Sequence, residues 1–191
     1  MGKLLWQPSE ELIKNSNMTR FMKAVNEKHG LNIASYDELY DWSVDKVADF
    51  WASMWEFSQI KASRQYDEVV DDLSRFPGAK WFGGARLNFA ENLLRYRDDH
   101  TAFIFRGETQ KSARMTYAEL YDSVARLAKS LRETGVKPGD RVVAYMPNLI
   151  ETAIAMLAAT SIGAVWSSLS LIHISEPTRP LYISYAVFCL K

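Results

Sequence analysis

Arg141-Val142-Val143-Ala144-Tyr145-Met146, followed by Pro147-Asn148, an alanine-rich run from Glu151 to Ile162, and then Gly163-Ala164-Val165-Trp166-Ser167, decides the fold. The first six residues are an apolar β-type run opened by the turn Lys137-Pro138-Gly139-Asp140. The run reads as a buried strand. Pro147-Asn148 leads into a helix, Gly163 stops it, and Ala164 to Ser167 reads as a second strand. Strand, helix, strand at this spacing predicts a right-handed βαβ crossover, the unit of a parallel sheet. Such a sheet needs cover on both faces, and the residues after Ser168 are too few to supply it. The expectation is an α/β domain that is begun and left incomplete.

Working back from this stretch, Thr116-Tyr117-Ala118-Glu119 has the pattern of a capping box. There the threonine oxygen accepts from an orphan amide and the glutamate reaches back to the cap residue. The helix that follows carries Leu120, Val124, Leu127, Ala128 and Leu131 on one face and stops at Gly135. Before it, Ala102-Phe103-Ile104-Phe105 is a short β-type run, with Arg106-Gly107-Glu108 as a turn.

The first ninety or so residues read as aromatic-rich helices. Asn15-Ser16-Asn17 is positioned to cap a helix with Met18, Phe21, Met22 and Val25 on one face, ending at His29-Gly30. His29 is read as a surface residue complementing the helix dipole rather than as a base. Ser43 is taken as the cap of a second helix, whose stripe Val44, Val47, Phe50, Trp51, Met54, Trp55 and Phe57 is read as core packing, since large aromatics bury the most area. The acidic cluster Asp67, Glu68, Asp71 and Asp72 reads as the solvated face of a helix, with no histidine nearby to suggest a metal. Gly78 and Gly83 have the spacing of the glycines in a phosphate-binding loop. Gly84-Ala85 stands where lysine and serine or threonine are required, so the stretch is read as a connector.

Composition narrows the function classes. The chain has 191 residues, 48% of them apolar and 13% aromatic, which is enough to build a core. Lysine plus arginine and aspartate plus glutamate are 23 each, which gives no electrostatic reason to expect nucleic acid or an anionic membrane as partner. The single cysteine, Cys189, excludes a disulfide framework and a cysteine zinc site within one chain. The start lacks the sustained apolar stretch of a secretory signal, and Gln7 stands where a myristoylation motif prefers serine or threonine. The most apolar run, Leu181 to Leu190, is too short to span a bilayer. A cytoplasmic location is the expectation.

Three segments carry a family likeness. Tyr36-Asp37-Glu38-Leu39-Tyr40-Asp41-Trp42-Ser43-Val44, with Asp49-Phe50-Trp51 and Trp55, resembles the N-terminal region of acetoacetyl-CoA synthetases. Trp81-Phe82-Gly83-Gly84-Ala85-Arg86-Leu87-Asn88-Phe89-Ala90-Glu91-Asn92 resembles the segment leading acetyl- and acetoacetyl-CoA synthetases into the adenylation domain. Gly135 to Val142 with Met146-Pro147-Asn148 is similar to the first βαβ turn of the wider adenylate-forming superfamily. Trp166-Ser167-Ser168 points to the acetoacetyl branch, because acetyl-CoA synthetases tend to have histidine in place of Trp166.

The resemblance implies a layout: a helical N-terminal region over 1–95, the first part of an AMP-binding adenylation domain over 96–168, and a tail over 169–191. From Leu169 the chain departs from the family. Leu169-Ser170-Leu171-Ile172-His173-Ile174-Ser175-Glu176-Pro177-Thr178-Arg179-Pro180 resembles the translation of a transposase-type sequencing-library adapter. His173, Ser175, Glu176 and Cys189 are therefore kept out of any candidate site; the alternative is a genuine divergent tail.

Enzymes of this family join a carboxylic acid to CoA through an acyl-adenylate, using ATP, Mg2+ and CoA. Their phosphate loop, magnesium carboxylate, ribose aspartate and late lysine have no counterpart in Met1 to Ser168. The resemblance therefore implies no catalytic residue and no metal ligand here, and no ligase activity for the piece alone. Trp166, Ser167 and Ser168, expected at a strand's carboxyl end where ligands gather, are candidates for a wall near the CoA path; for Trp166 a plain buried role competes. Arg86 and Asn88 are read as packing residues. The function expected of the parent is acetoacetate–CoA ligase, with acetyl- or propionyl-CoA synthetase as the alternative within the class. Partners are then small molecules, with neither nucleic acid nor membrane. A non-catalytic helical interaction module is the alternative from another class.

Overall fold

The computed structural model describes residues 5–107 and 112–169. They divide into two compact units that meet between Leu87 and Asn88.

The first unit opens with two helices, α1 (Glu10–Asn15) and α2 (Asn17–His29). Ser9 caps α1 by accepting from the Leu12 amide, and Ser16 caps α2 by accepting from the Thr19 amide. Each serine satisfies an amide that has no partner within its own helix. α2 ends where expected, at Gly30, which adopts the left-handed conformation (φ 66°). Beyond the turn, Asn26 anchors the chain: its amide donates to the Ile33 carbonyl (2.9 Å) and its oxygen accepts from the Ile33 N–H (2.8 Å).

The second long helix expected from Ser43 is two helices, α3 (Tyr36–Asp45) and α4 (Val47–Phe57), broken at Lys46. The cap is Ser35, in a capping box with Glu38. Ser43 lies inside α3, where its hydroxyl donates to the Tyr40 carbonyl three residues back (2.7 Å). Phe21, Val25 and Leu39 form the core of this unit, with Trp42, Phe50, Met54 and Phe57 packed on it. Phe21 meets Phe50 and Phe57 edge-on, with centroids 5.8 and 5.2 Å apart. The aromatic stripe is core for Phe50, Met54 and Phe57. By contrast, Val44 is 55% exposed, while Trp51 turns toward Trp81 and Trp55 stacks on Phe82.

The acidic cluster is not helical. Glu68 opens strand β1 (Glu68–Val70), which pairs antiparallel with β2 (Trp81–Gly83). Asp71 and Asp72 shape the turn between the strands. The Asp71 carboxylate accepts from the Lys80 and Asp72 amides (2.8 and 2.7 Å), and Asp72 accepts from the Ser74 amide and hydroxyl (2.9 and 2.6 Å). Short acidic side chains that hydrogen-bond neighbouring backbone favour turns over helices, and here that preference prevails. Gly84, at φ 81°, passes so close to the Asp67 carboxylate that a Cβ has no room.

The second unit begins with α5 (Phe89–Leu93), followed by β3 (Thr101–Phe105). β3 does not enter the parallel sheet. It forms an antiparallel pair with β4 (Ala113–Thr116), a strand the sequence reading did not place. Thr116 then caps α6 (Tyr117–Glu133) in the expected capping box with Glu119.

β5 (Arg141–Tyr145), α7 (Ile150–Ser161) and β6 (Val165–Leu169) follow, and β5 and β6 pair in parallel. The crossover expected between them is present. The Lys137–Asp140 turn is closed by Asp140, whose carboxylate accepts from the Lys137 amide (2.7 Å). Leu120, Val124 and Ala128 of α6 and Leu157, Ala158 and Ala159 of α7 form the core with Ala90 and Leu94, and Val142 and Trp166 lie against it. β5 differs from the buried strand expected: its exposure alternates, with Val143 63% and Tyr145 54% exposed. Only one face of the strand pair is covered by these helices among the described residues. The rest of the expected tail, 170–191, lies outside the described residues, as do Glu108 of the expected turn and Cys189.

Candidate functional site

The carboxyl ends of β5 and β6 are the place to look for a site, because ligands of open α/β sheets gather there. The register sets Val142 opposite Trp166, Val143 opposite Ser167, Ala144 opposite Ser168 and Tyr145 opposite Leu169. The Met146 amide extends the ladder by donating to the Leu169 carbonyl (3.3 Å). Pro147-Asn148-Leu149 then turns the chain into α7. The Thr152 hydroxyl donates back to the Pro147 carbonyl (2.7 Å), and Leu149 provides no side-chain cap.

Of the three sequence candidates, Trp166 is half-buried in mid-strand and faces the helices with Val142. Its position is that of a core residue. The strand runs on to Leu169, so Trp166 and Ser167 are not at its carboxyl end. Ser168 is exposed, one residue from that end, and of the three it is best placed to meet a ligand.

Asn88, read as a packing residue, has that role in full. Its side-chain oxygen caps α5 by accepting from the Glu91 amide (3.1 Å). Its side-chain nitrogen donates to the Thr160 and Ser161 carbonyls at the end of α7 (3.0 and 3.3 Å). One side chain thus satisfies an orphan donor of one helix and reaches two carbonyls at the end of another, of which that of Thr160 also accepts from the Gly163 amide (3.1 Å). Arg86 acts through its backbone, bridging to Arg64.

His29 departs from its expected surface role. Its Nε2 lies 2.9 Å from the hydroxyl of Ser53, a buried residue of α4, and its ring packs on Trp42 of α3. The residue ties three helices together. The i, i+3 and i+4 pattern that placed His29 at the end of α2 carried no signal for this contact, because Ser53 lies 24 residues away.

Among the described residues no three His, Cys, Asp or Glu side chains converge on one point. The acidic residues nearest one another in sequence are spent on turns and on exposed ion pairs, Arg64 with Asp67 (2.8 Å) and Arg75 with Asp71 and Asp72 (3.4 and 3.2 Å). The Lys80 amide, followed by the Asp72 amide and the Arg75 guanidinium, holds the Asp71 carboxyl below the usual carboxylate range against a smaller opposing effect of desolvation. Gly78 and Gly83 belong to the turn and strand of the β1–β2 hairpin, and no helix opens behind them before Phe89. No helix among the described residues is long and apolar enough to cross a membrane.

The likeness to known proteins falls on the same two units. Residues 36–93 match the family model described as the acetyl-coenzyme A synthetase N-terminus, and residues 89–173 match that of the AMP-binding enzymes. The chain is 46% identical to acetoacetyl-CoA synthetase from Gallus gallus over 172 residues, which is 88% of this chain and 26% of that protein. It is 44% identical to acetoacetyl-coenzyme A synthetase from Rhizobium meliloti over 87% of this chain and 25% of that one. The solved structure of acetoacetyl-CoA synthetase from Streptomyces lividans superposes with a TM-score of 0.79 at 40% identity, covering 88% of this chain and 27% of that one. The chain therefore spans about a quarter of the length of the relatives it matches. Along 88% of its length it is similar to the N-terminal portion of acetoacetyl-CoA synthetases, and it carries matches to both the acetyl-coenzyme A synthetase N-terminus and the AMP-binding enzyme models.

Proposed function

We propose that the whole protein of which this chain is a portion is an ATP-dependent ligase that joins acetoacetate to CoA. The observation that carries this reading is identity of 44–47% with acetoacetyl-CoA synthetases of birds, mammals and bacteria, spread over nearly nine-tenths of the chain. In such a reaction the carboxylate attacks the α-phosphorus of ATP and releases pyrophosphate. The CoA sulfur then attacks the acyl carbon, and AMP departs. Donors and cations aimed at the developing phosphate charge supply most of the rate in chemistry of this kind. In this reading the chain's part is scaffold, and the rest of the protein supplies the donors and the magnesium ligands. It builds the N-terminal helical unit and the first parallel strand pair, with Ser168, beside Trp166 and Ser167, as a wall near the CoA path. ATP, Mg2+ and CoA are the cofactors of the whole protein, small molecules its partners, and the cytoplasm its location.

A second reading of the acyl group has its own support. Malonamoyl-CoA synthetase vrtB from Penicillium aethiopicum is 38% identical over 88% of the chain. Acetoacetyl and malonamoyl groups both carry a carbonyl at carbon 3. The acid accepted is then defined by that carbonyl, and acetate and propionate are poorer substrates. The test is AMP release by the whole protein, with a chimera in which residues 5–169 replace their counterpart in the Streptomyces lividans protein as the check that these residues serve as scaffold. AMP release with acetoacetate well above that with acetate supports the reading; AMP release with acetate alone, or none with any acid, contradicts it.

A further inference from the structure

The turn that feeds β6 is fastened from two directions. Ile162, Gly163 and Ala164 alone join α7 to β6. The Thr160 carbonyl at the end of α7 accepts from the Gly163 amide (3.1 Å) and also from the Asn88 side-chain nitrogen (3.0 Å). From the other direction, the Gly163 carbonyl accepts from the Gly139 amide and the Asp140 carbonyl accepts from the Val165 amide, both at 2.8 Å. Those two bonds tie the start of β6 to the turn before β5. Gly163 has φ 81°, and a Cβ there would stand 3.2 Å from the Pro138 Cβ, so a side chain would press on that turn. Asn88 is itself well held. Its oxygen caps α5, and Ala90 and Leu94 are buried in the core shared with α6 and α7.

We propose that Asn88 is a positioning residue for the CoA step: by holding the Thr160 and Ser161 carbonyls it fixes the end of α7, hence the start of β6, hence the place of Ser168. The inference rests on the reading above, in which Ser168 walls the CoA path, and deepens it by naming the side chain that sets that wall. The Thr160 oxygen is where the argument turns, because the Asn88 donor and the Gly163 amide meet on that one atom. Without the donor, α7 keeps its packing but its last carbonyls lose their tether to α5. The three-residue turn passes any shift directly into β6. Ser168 lies about 10 Å beyond Val165 along the strand, at ~3.3 Å per residue, and a paired strand carries a displacement at its start to its end. Asn88 as a cap and packing residue alone predicts something different. Its loss would then lower the amount of folded protein and leave the affinity for CoA untouched.

The test compares the whole protein with its Asn88→Ala and Asn88→Asp variants, each confirmed as folded by circular dichroism. Asn88→Asp keeps the oxygen that caps α5 and loses the donor to α7, so it separates the two roles. Acid-dependent exchange of labelled pyrophosphate into ATP reads adenylation, and AMP release against CoA concentration reads thioester formation. Hydrogen exchange at the Val165 amide reads the start of β6. In both variants we expect pyrophosphate exchange and kcat at saturating CoA to be retained and Val165 to exchange faster. We expect the KM for CoA to rise about 10-fold, less than the ~100-fold cost of a 1 Å misplacement at the reacting groups. An unchanged KM for CoA in both variants overturns the proposal. So does a parallel fall of both half-reactions at constant KM, which leaves Asn88 a packing residue. A rise in Asn88→Ala that is absent from Asn88→Asp overturns it in favour of the cap. A raised KM with Val165 exchange unaltered overturns the route through β6. Unmutated protein that prefers another acid, with the CoA effect intact in the variants, keeps this inference and sinks only the choice of acetoacetate. Unmutated protein with no acid-dependent exchange sinks the ligase reading and this inference with it.

Discussion

The two units are held together in different ways. Residues 5–87 form a helical unit whose order depends on long-range aromatic contacts: Phe21 against Phe50 and Phe57, His29 against Ser53 and Trp42, Trp55 against Phe82. Residues 88–169 form a unit with strong local punctuation: a capping box at Thr116, glycine stops at Gly135 and Gly163, and a closed turn at Lys137–Asp140. The difference teaches where a core tolerates loss. The first unit concentrates its core in three buried residues, while the second spreads it over ten, alanines as well as leucines, an isoleucine and a valine, on and beside α5, α6 and α7.

The largest expected effect lies in that concentrated core. Phe21→Ala removes a 3%-exposed ring with two edge-on partners, and we expect a loss of about 3–5 kcal/mol, read by denaturant unfolding. Backbone probes in 17–57 should report the loss, while probes in 117–161 stay unchanged. A loss shared equally by both sets of probes breaks the comparison. Asn88→Ala should cost the second unit about 1–3 kcal/mol, because it uncaps α5 and strips partners from two α7 carbonyls at once. Asn88→Asp, which keeps the cap oxygen and loses the donor, should recover only part of it. Thr116→Ala should cost about 1 kcal/mol, the usual value of an N-cap, and hydrogen exchange should report it first in the opening turn of α6.

Those three sites show how much was legible. The capping box, Gly135, the βαβ crossover and the end of α2 at Gly30 were readable because each signal spans a few residues and acts on its own backbone. The Ser35 cap, with Glu38 three residues on, is equally local; the aromatic run Val44 to Phe57 instead suggests one helix capped at Ser43, where Lys46 breaks it into two. β4 was missed because Ala113-Arg114-Met115 has little β character alone and is a strand through its pairing with β3. The charge spacing of Asp67, Glu68, Asp71 and Asp72 suggests a helix face, whereas the Asp71 and Asp72 carboxylates are committed to backbone amides and Asp67 to Arg64. For the candidate site, the family likeness was readable and the geometry was not. Trp166 faces the helices because of register, which no single strand reveals.

The smallest expected effect is a pH dependence in the β1–β2 turn. Asp71 has its carboxyl held below the ordinary range in the folded state, so its contribution is present above the unfolded value and is lost as pH falls through the lowered one. Asp71→Asn should flatten the acid limb of a pH–stability curve recorded for the first unit, leaving the neutral region little changed. A steeper acid limb in the variant would reverse the sign assigned here.

The central claim is that this chain is a scaffold portion of an acid–CoA ligase whose reacting groups lie outside its described residues. Acetoacetate-dependent exchange of labelled pyrophosphate into ATP tests it directly, with the 191-residue chain alone beside the chimera containing residues 5–169. The account predicts no exchange above background for the chain and clear exchange for the chimera. Exchange by the purified chain alone would contradict it.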